Sequence, residues 1–110
     1  MSKTYTIRST DLTTAVVVPV STRYNQWTAS IVYYDAAFAS VVVPTAGTVA
    51  VVGQSAPAEF SSTFNQSPLD GTVPASFVSL AAKLNEITLT GTGLTGNSVD
   101  VYEVTLIGTD

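Results

Sequence analysis

The side chains of this 110-residue chain that could do chemistry are carboxylates, hydroxyls and aromatic rings, because it contains neither cysteine nor histidine. Without cysteine there are no disulfides, thiolate metal sites or thiol nucleophiles. Without histidine the commonest general base and the usual zinc ligand are missing. Two carboxylates can hydrolyse a glycoside when held at the right separation. The nearest pair, Asp100 and Glu103, has an odd spacing that puts the two on opposite faces of one strand. Glu86 has no sequence partner. Serine nucleophiles lack their settings, since neither Gly-x-Ser-x-Gly nor Ser-x-x-Lys occurs. The sequence therefore predicts no enzyme.

Ligand-binding motifs are equally sparse. Gly91-Thr92-Gly93-Leu94-Thr95-Gly96 is rich enough in glycine for a phosphate loop, but a β-branched strand follows it instead of a helix. A long hairpin turn over Gly91–Asn97 suits it better. Asp70-Gly71 lacks the oxygen-ligand spacing of a calcium loop. No cofactor or metal is expected. The aromatic residues remain. Tyr24, Trp27, Tyr33 and Tyr34 fall within eleven residues. Strand alternation puts Trp27, Ala29, Ile31 and Tyr33 on one face, and Ser30, Val32 and Tyr34 on the other. Tyr24, Trp27 and Tyr34 are the candidate interface or recognition residues. The competing expectation is that Trp27 and Tyr33 are core, with Tyr34 at a rim or subunit contact.

The charge pattern excludes other partners. The formal net charge is −4, with four cations scattered along the chain. Residues 1–55 balance to +1 and residues 56–110 to −5. Such a chain lacks the cationic footprint that nonspecific nucleic-acid binding needs, and a polybasic membrane patch too. Its apolar runs are far shorter than the ~20 residues of a membrane-spanning helix. No signal peptide is apparent at residues 1–8, so the expectation is synthesis in a host cytoplasm. The Asn65-Gln66-Ser67 sequon carries no weight without such a signal.

The elements that must position these residues are strands. Seventeen threonines, sixteen valines and four isoleucines suit a pleated, half-buried surface. Strands are expected over Thr4–Ser9, Ala15–Val20, Trp27–Tyr34, Thr48–Gly53, Glu86–Thr92 and Ser98–Ile107. Turn clusters separate them at Ser9–Asp11, Asn25-Gln26, Pro44–Gly47 and Pro68–Gly71. One segment competes between two structures. Phe77, Leu80, Ala81 and Leu84 fall at helical spacing behind Ser76. The alternative is a strand over Phe77–Leu80 with a turn at Ala81-Ala82, which the flanking strands favour. Length and pattern together predict a single domain over 1–110. Its expected fold is an all-β, antiparallel, jelly-roll-like sandwich of about seven or eight short strands, with at most one short helix near 76–85. Val-Val-Val-Pro at 16–19 and 41–44 and Gly-Thr-Val at 47–49 and 71–73 are echoes without a solenoid period. Pro19 and Pro44 belong at edges or strand ends, since proline lacks a ladder donor. Residues 1–9 are expected to form an arm or edge strand against a neighbour.

Over nearly its whole length the chain resembles small β-sandwich accessory proteins of bacteriophage virions. Val20-Ser21-Thr22-Arg23-Tyr24-Asn25 is similar to that group's Arg-Tyr-x-Asn turn. Ala46-Gly47-Thr48-Val49-Ala50-Val51 is similar to its Gly-Thr-x-x-Tyr-x-Val strand, without the aromatic. Leu84–Leu89 resembles its penultimate strand, with Glu86 near where an arginine is usual, and Leu94–Val101 resembles its Thr-Gly-x-Ser-Val-x-Val hairpin. The resemblance implies a non-enzymatic virion component: a capsid decoration or cement protein, or a neck or tail component. Its implied partners are further copies of itself and other virion proteins such as the major capsid protein. The alternative is a tail-associated domain that binds a host glycan through Trp27, Tyr34 and loop Asp or Asn side chains. Only 11% of residues are charged, against about 25% in a typical domain. That scarcity agrees with surfaces made for association.

Overall fold

The computed structural model describes residues 2–9, 12–55, 63–65, 69–70, 76–81 and 83–110. Ten strands appear among them: β1 (Ser2–Ser9), β2 (Val16–Pro19), β3 (Gln26–Tyr34), β4 (Val41–Val42), β5 (Ala46–Gln54), β6 (Thr63–Asn65), β7 (Leu69–Asp70), β8 (Ser76–Leu80), β9 (Glu86–Thr95) and β10 (Val101–Thr109). Eight of these have three residues or more, and all the pairings are antiparallel. The all-β sandwich expected from the sequence is therefore the fold. Its first sheet runs β1-β10-β3, with β8 and β4 one after the other along the far edge of β3, β8 on Trp27–Ile31 and β4 on Tyr33-Tyr34. The second runs β2-β9-β5, with β6 and β7 on the far edge of β5.

Alternation decides which face is buried. On β3, Trp27, Ala29, Ile31 and Tyr33 point into the core, while Ser30 is exposed and Tyr34 half-buried. Across the same sheet, Tyr102, Val104 and Leu106 of β10 point inward. Val49 and Val51 of β5 and Ile87 and Leu89 of β9 answer them from the second sheet. A one-residue slip would turn every one of these side chains to water, so the register is firmly specified.

The ambiguous segment is strand. Ser76–Leu80 pairs with Trp27–Ile31 of β3, because a sheet edge with unpaired backbone groups was waiting there. Among the described residues the only helical element is a 3-10 turn at Ala36–Phe38. Pro19 ends β2, an edge strand, and Pro44 lies between β4 and β5, as expected for residues without a ladder donor. The Ser9–Asp11 and Pro68–Gly71 turns, apart from Ser9 and the strand residues Leu69–Asp70, lie outside the described residues, as do Ala82 and Gln66-Ser67 of the sequon.

Two expectations need correction. Gly91–Asn97 is not one long turn, since β9 continues to Thr95 and the chain turns only from Gly96. The glycines here serve close approach. Gly47 (φ +100°) and Gly93 (φ +65°) adopt left-handed backbone where β5 shifts register against β9. A Cβ on Gly47 would run into the backbone of Gly93 and Leu94. Asp100 and Glu103, expected on one strand, are split, because β10 begins at Val101. Asp100 belongs to the preceding turn, where its amide donates to the Tyr34 carbonyl at 2.9 Å.

Candidate contact surface

Trp27 has no exposed surface. Its ring lies 5.8 Å from Tyr5, tilted by 41°, and 5.8 Å from Tyr24, edge-on at 82°. Gly108 stands opposite it in the β10 ladder, leaving the space that the indole fills. Tyr24 is 6% exposed, with the Arg23 guanidinium 5.8 Å from its ring. As recognition residues, Trp27 and Tyr24 are thus corrected: both belong to the core, and no ligand can stack on the tryptophan of the folded domain. The physical reason is alternation, which puts Trp27 on the same face as Ala29, Ile31 and Tyr33.

Tyr34 is different. It is half-buried on the outer face of the first sheet, its ring 5.3 Å from that of Phe38 at 60°. Phe38 closes the 3-10 turn with φ +60°, a backbone conformation that bulky residues rarely take. Two hydrogen bonds between Asp35 and Ser40 hold that turn in place. The Asp35 amide donates to the Ser40 carbonyl at 3.0 Å, and the Ser40 amide donates to Asp35 Oδ1 at 2.7 Å. The turn packs on β10, where Val101 is buried outside the central core.

Arg8 completes this corner. Its guanidinium carbon stands 5.0 Å from the centre of the Phe38 ring, a cation–π distance. Arg8 and Glu103 face each other across the β1–β10 ladder, and Arg8 Nε donates to Glu103 Oε2 at 2.5 Å. That hydrogen bond, followed by the carboxylate's charge, holds the Arg8 guanidinium above its ordinary pKa. Beside Tyr34 in the ladder lies Val41, 63% exposed. Tyr34, Phe38, Val41, Arg8 and Glu103 therefore form one mixed aromatic, aliphatic and charged corner. Aromatic residues and arginine are the types that carry binding energy in protein interfaces.

Of the three candidate residues, the structure puts one at this surface and two beneath it. Phe38, Val41, Arg8 and Glu103 had no sequence signal, because Arg8 and Glu103 meet only through a pairing of the first and last strands.

Elsewhere the outward-facing strand positions of the two sheets carry few charges. On β1, β3 and β10 the outward positions include Thr4, Thr6, Ser30, Thr105 and Ile107, and their only charges are the mutually paired Arg8 and Glu103. On β2, β5 and β9 the outward positions include Val17, Ala50, Val52, Thr88 and Thr90, and the only charge is Glu86. Among the described residues no cluster of carboxylates converges that could hold a metal.

The model of a domain of unknown function, DUF7265, matches residues 2–109. The chain belongs to the DUF7265 family. No curated protein matches this DUF7265 chain. Among solved structures it is similar to a chain from Bacillus endospore appendages, described as a novel family of disulfide-linked pili. The two share 13% identity at a TM-score of 0.47, over 99% of the DUF7265 chain and 87% of the other.

Proposed function

We propose that this protein is a non-enzymatic structural component of a phage virion, a capsid decoration or cement protein working through oligomeric protein–protein contacts. The observation that carries the association is the outer surface of the sandwich. Val17, Val41 and Ile107 are 55%, 63% and 37% exposed, on sheet faces whose charges are one neutralised pair and Glu86. Depletion of charge around exposed aliphatic and aromatic side chains is the composition of interface cores. The virion setting rests on the sequence resemblance to phage β-sandwich accessory proteins. The chain's partners are then further copies of itself and the major capsid protein, with no direct role for nucleic acid or membrane.

The test is binding to assembled shells of the encoding phage, read by co-sedimentation and by mass spectrometry of purified particles. Stoichiometric incorporation supports the proposal. A monomer with no affinity for shells, absent from particles, refutes it. Binding to a glycan array in place of shells would return the tail-associated, host-binding alternative.

A further inference from the structure

The four sheet edges of this domain are not alike. β2 has four residues and ends in Pro19. On the opposite side, β4 and β7 have two residues each, β6 has three and β8 five, with β7 packed beside β8. Short strands, proline, covering and charged side chains are the ordinary means by which proteins blunt an edge. β1 is long, uncovered by another described strand and free of proline, and of its two charges Arg8 is paired with Glu103, which leaves Lys3. Its eight residues pair with β10 in unbroken register, without proline, glycine or bulge. Among the described strands nothing pairs with its other edge. Along that side Tyr5, Ile7, Leu12 and Val16 are packed on the core yet only partly buried.

We propose that β1 is a self-association edge, at which two copies of this chain pair antiparallel across a two-fold axis and join their first sheets into one. The occupant is a second copy for two reasons. A strand of eight residues needs an edge of similar length, and among the described edges only β1 is that long. The charges also fit. In a continuous sheet, facing residues must lie on the same face, so odd positions meet odd positions and even meet even. Lys3 and Arg8 differ in parity and never oppose each other. With the axis at Tyr5, Thr4 of one copy faces Thr6 of the other, Lys3 faces Ile7 and Ser2 faces Arg8. With the axis at Thr6, Thr4 faces Arg8 and Tyr5 faces Ile7. Neither register opposes like charges, and both bring together β-branched and aromatic pairs that stabilise sheets. Each copy also shields the other's half-buried Tyr5 and Ile7. An isologous contact of this kind closes as a dimer, so the exposed edge does not template open-ended growth.

This inference rests on the proposed reading that the protein works by contact, and the experiment separates the two. Thr4 and Thr6 are exposed on the outer face, so charging them leaves the core intact. The parent 110-residue chain, the T4K/T6K variant and the T4E/T6E variant are compared by sedimentation and light scattering, with Trp27 emission and thermal unfolding as checks on folding. The expected results are a dimer, or a larger assembly built of dimers, for the parent. The apparent mass of the folded T4K/T6K variant alone should fall at least twofold, because its added charges meet like charges in both registers, and an equimolar mixture with the T4E/T6E variant should restore the parental mass. A monomeric parent, or a folded T4K/T6K variant of unchanged mass, overturns the inference. Self-association through β1 in a protein absent from particles refutes the virion function alone. Incorporation into particles with no effect of the β1 charges refutes the edge alone.

Discussion

Gly108→Ala tests the core that supports the whole surface, and its sign is decided by two opposing effects. In an open strand position, replacing glycine with alanine stabilises by about 0.5–1 kcal/mol, because the unfolded chain loses freedom. Gly108 is not in the left-handed region, so alanine is unstrained there and space alone decides. A Cβ would meet Trp27 Cη2 at 2.8 Å and Cζ2 and Cζ3 at 3.0 Å each. Those atoms belong to a rigid, fully buried ring wedged between Tyr5 and Tyr24, which cannot step aside without moving both neighbours. Overpacking of this kind costs about 1–3 kcal/mol and outweighs the propensity gain. For a domain of this size roughly 4 °C accompanies each kcal/mol, so a net loss of about 1–2 kcal/mol lowers Tm by roughly 4–8 °C. Trp27 is the only tryptophan, so its fluorescence follows the perturbed site during thermal and urea unfolding. A Gly108→Ala protein as stable as the parent, or more stable, would refute the packing of Trp27 against β10.

Other outcomes follow from the same geometry. Trp27→Ala should cost about 3–5 kcal/mol by urea titration. Trp27→Phe should cost clearly less, because the buried indole Nε1 has no hydrogen-bond partner among the described residues and its desolvation is then relieved. Asn97→Ala should lose about 1–2 kcal/mol in the same assay, since Asn97 Nδ2 donates to the Val43 carbonyl at 2.6 Å and the residue holds φ +52°. Arg8→Gln should leave the fold intact and change stability little, with an effect that shrinks as salt is raised, because the Arg8 side chain is 62% exposed. Over the neutral to moderately alkaline range that pair should show no loss, since the bond to Glu103 raises the guanidinium pKa and such a group gives up its contribution only as pH climbs through the folded value. Val41→Asp should weaken shell binding at unchanged Tm, because Val41 is 63% exposed beside Tyr34.

The long strands were legible in the sequence because each buries one face. Trp27–Tyr34 shows the alternation plainly, and the observed strand differs from the expected one only by Gln26. The two-residue strands β4 and β7 were not legible, being too short to show any period. Gly91–Thr95 reads as a turn in the sequence because glycine signals both turns and close backbone approach, and only the shifted β5–β9 register separates the two. At the candidate surface, Tyr34 could be placed by parity, whereas Tyr24 could not. It precedes β3, outside the alternating frame, and is buried by its edge-on contact with Trp27. The Tyr34–Phe38–Arg8–Glu103 corner depends on a turn and a first-to-last strand pairing, neither of which leaves a local pattern.

The central claim is that this domain works by contact within a phage particle. The most direct measurement is a reconstruction of the intact particle of the encoding phage, in which this sandwich is sought in the density. The prediction is symmetric copies seated on the shell or its neck or tail, with their uncharged sheet faces or β1 edges at the contacts. Particles that lack the chain altogether, with the protein remaining free in the lysate, would contradict it.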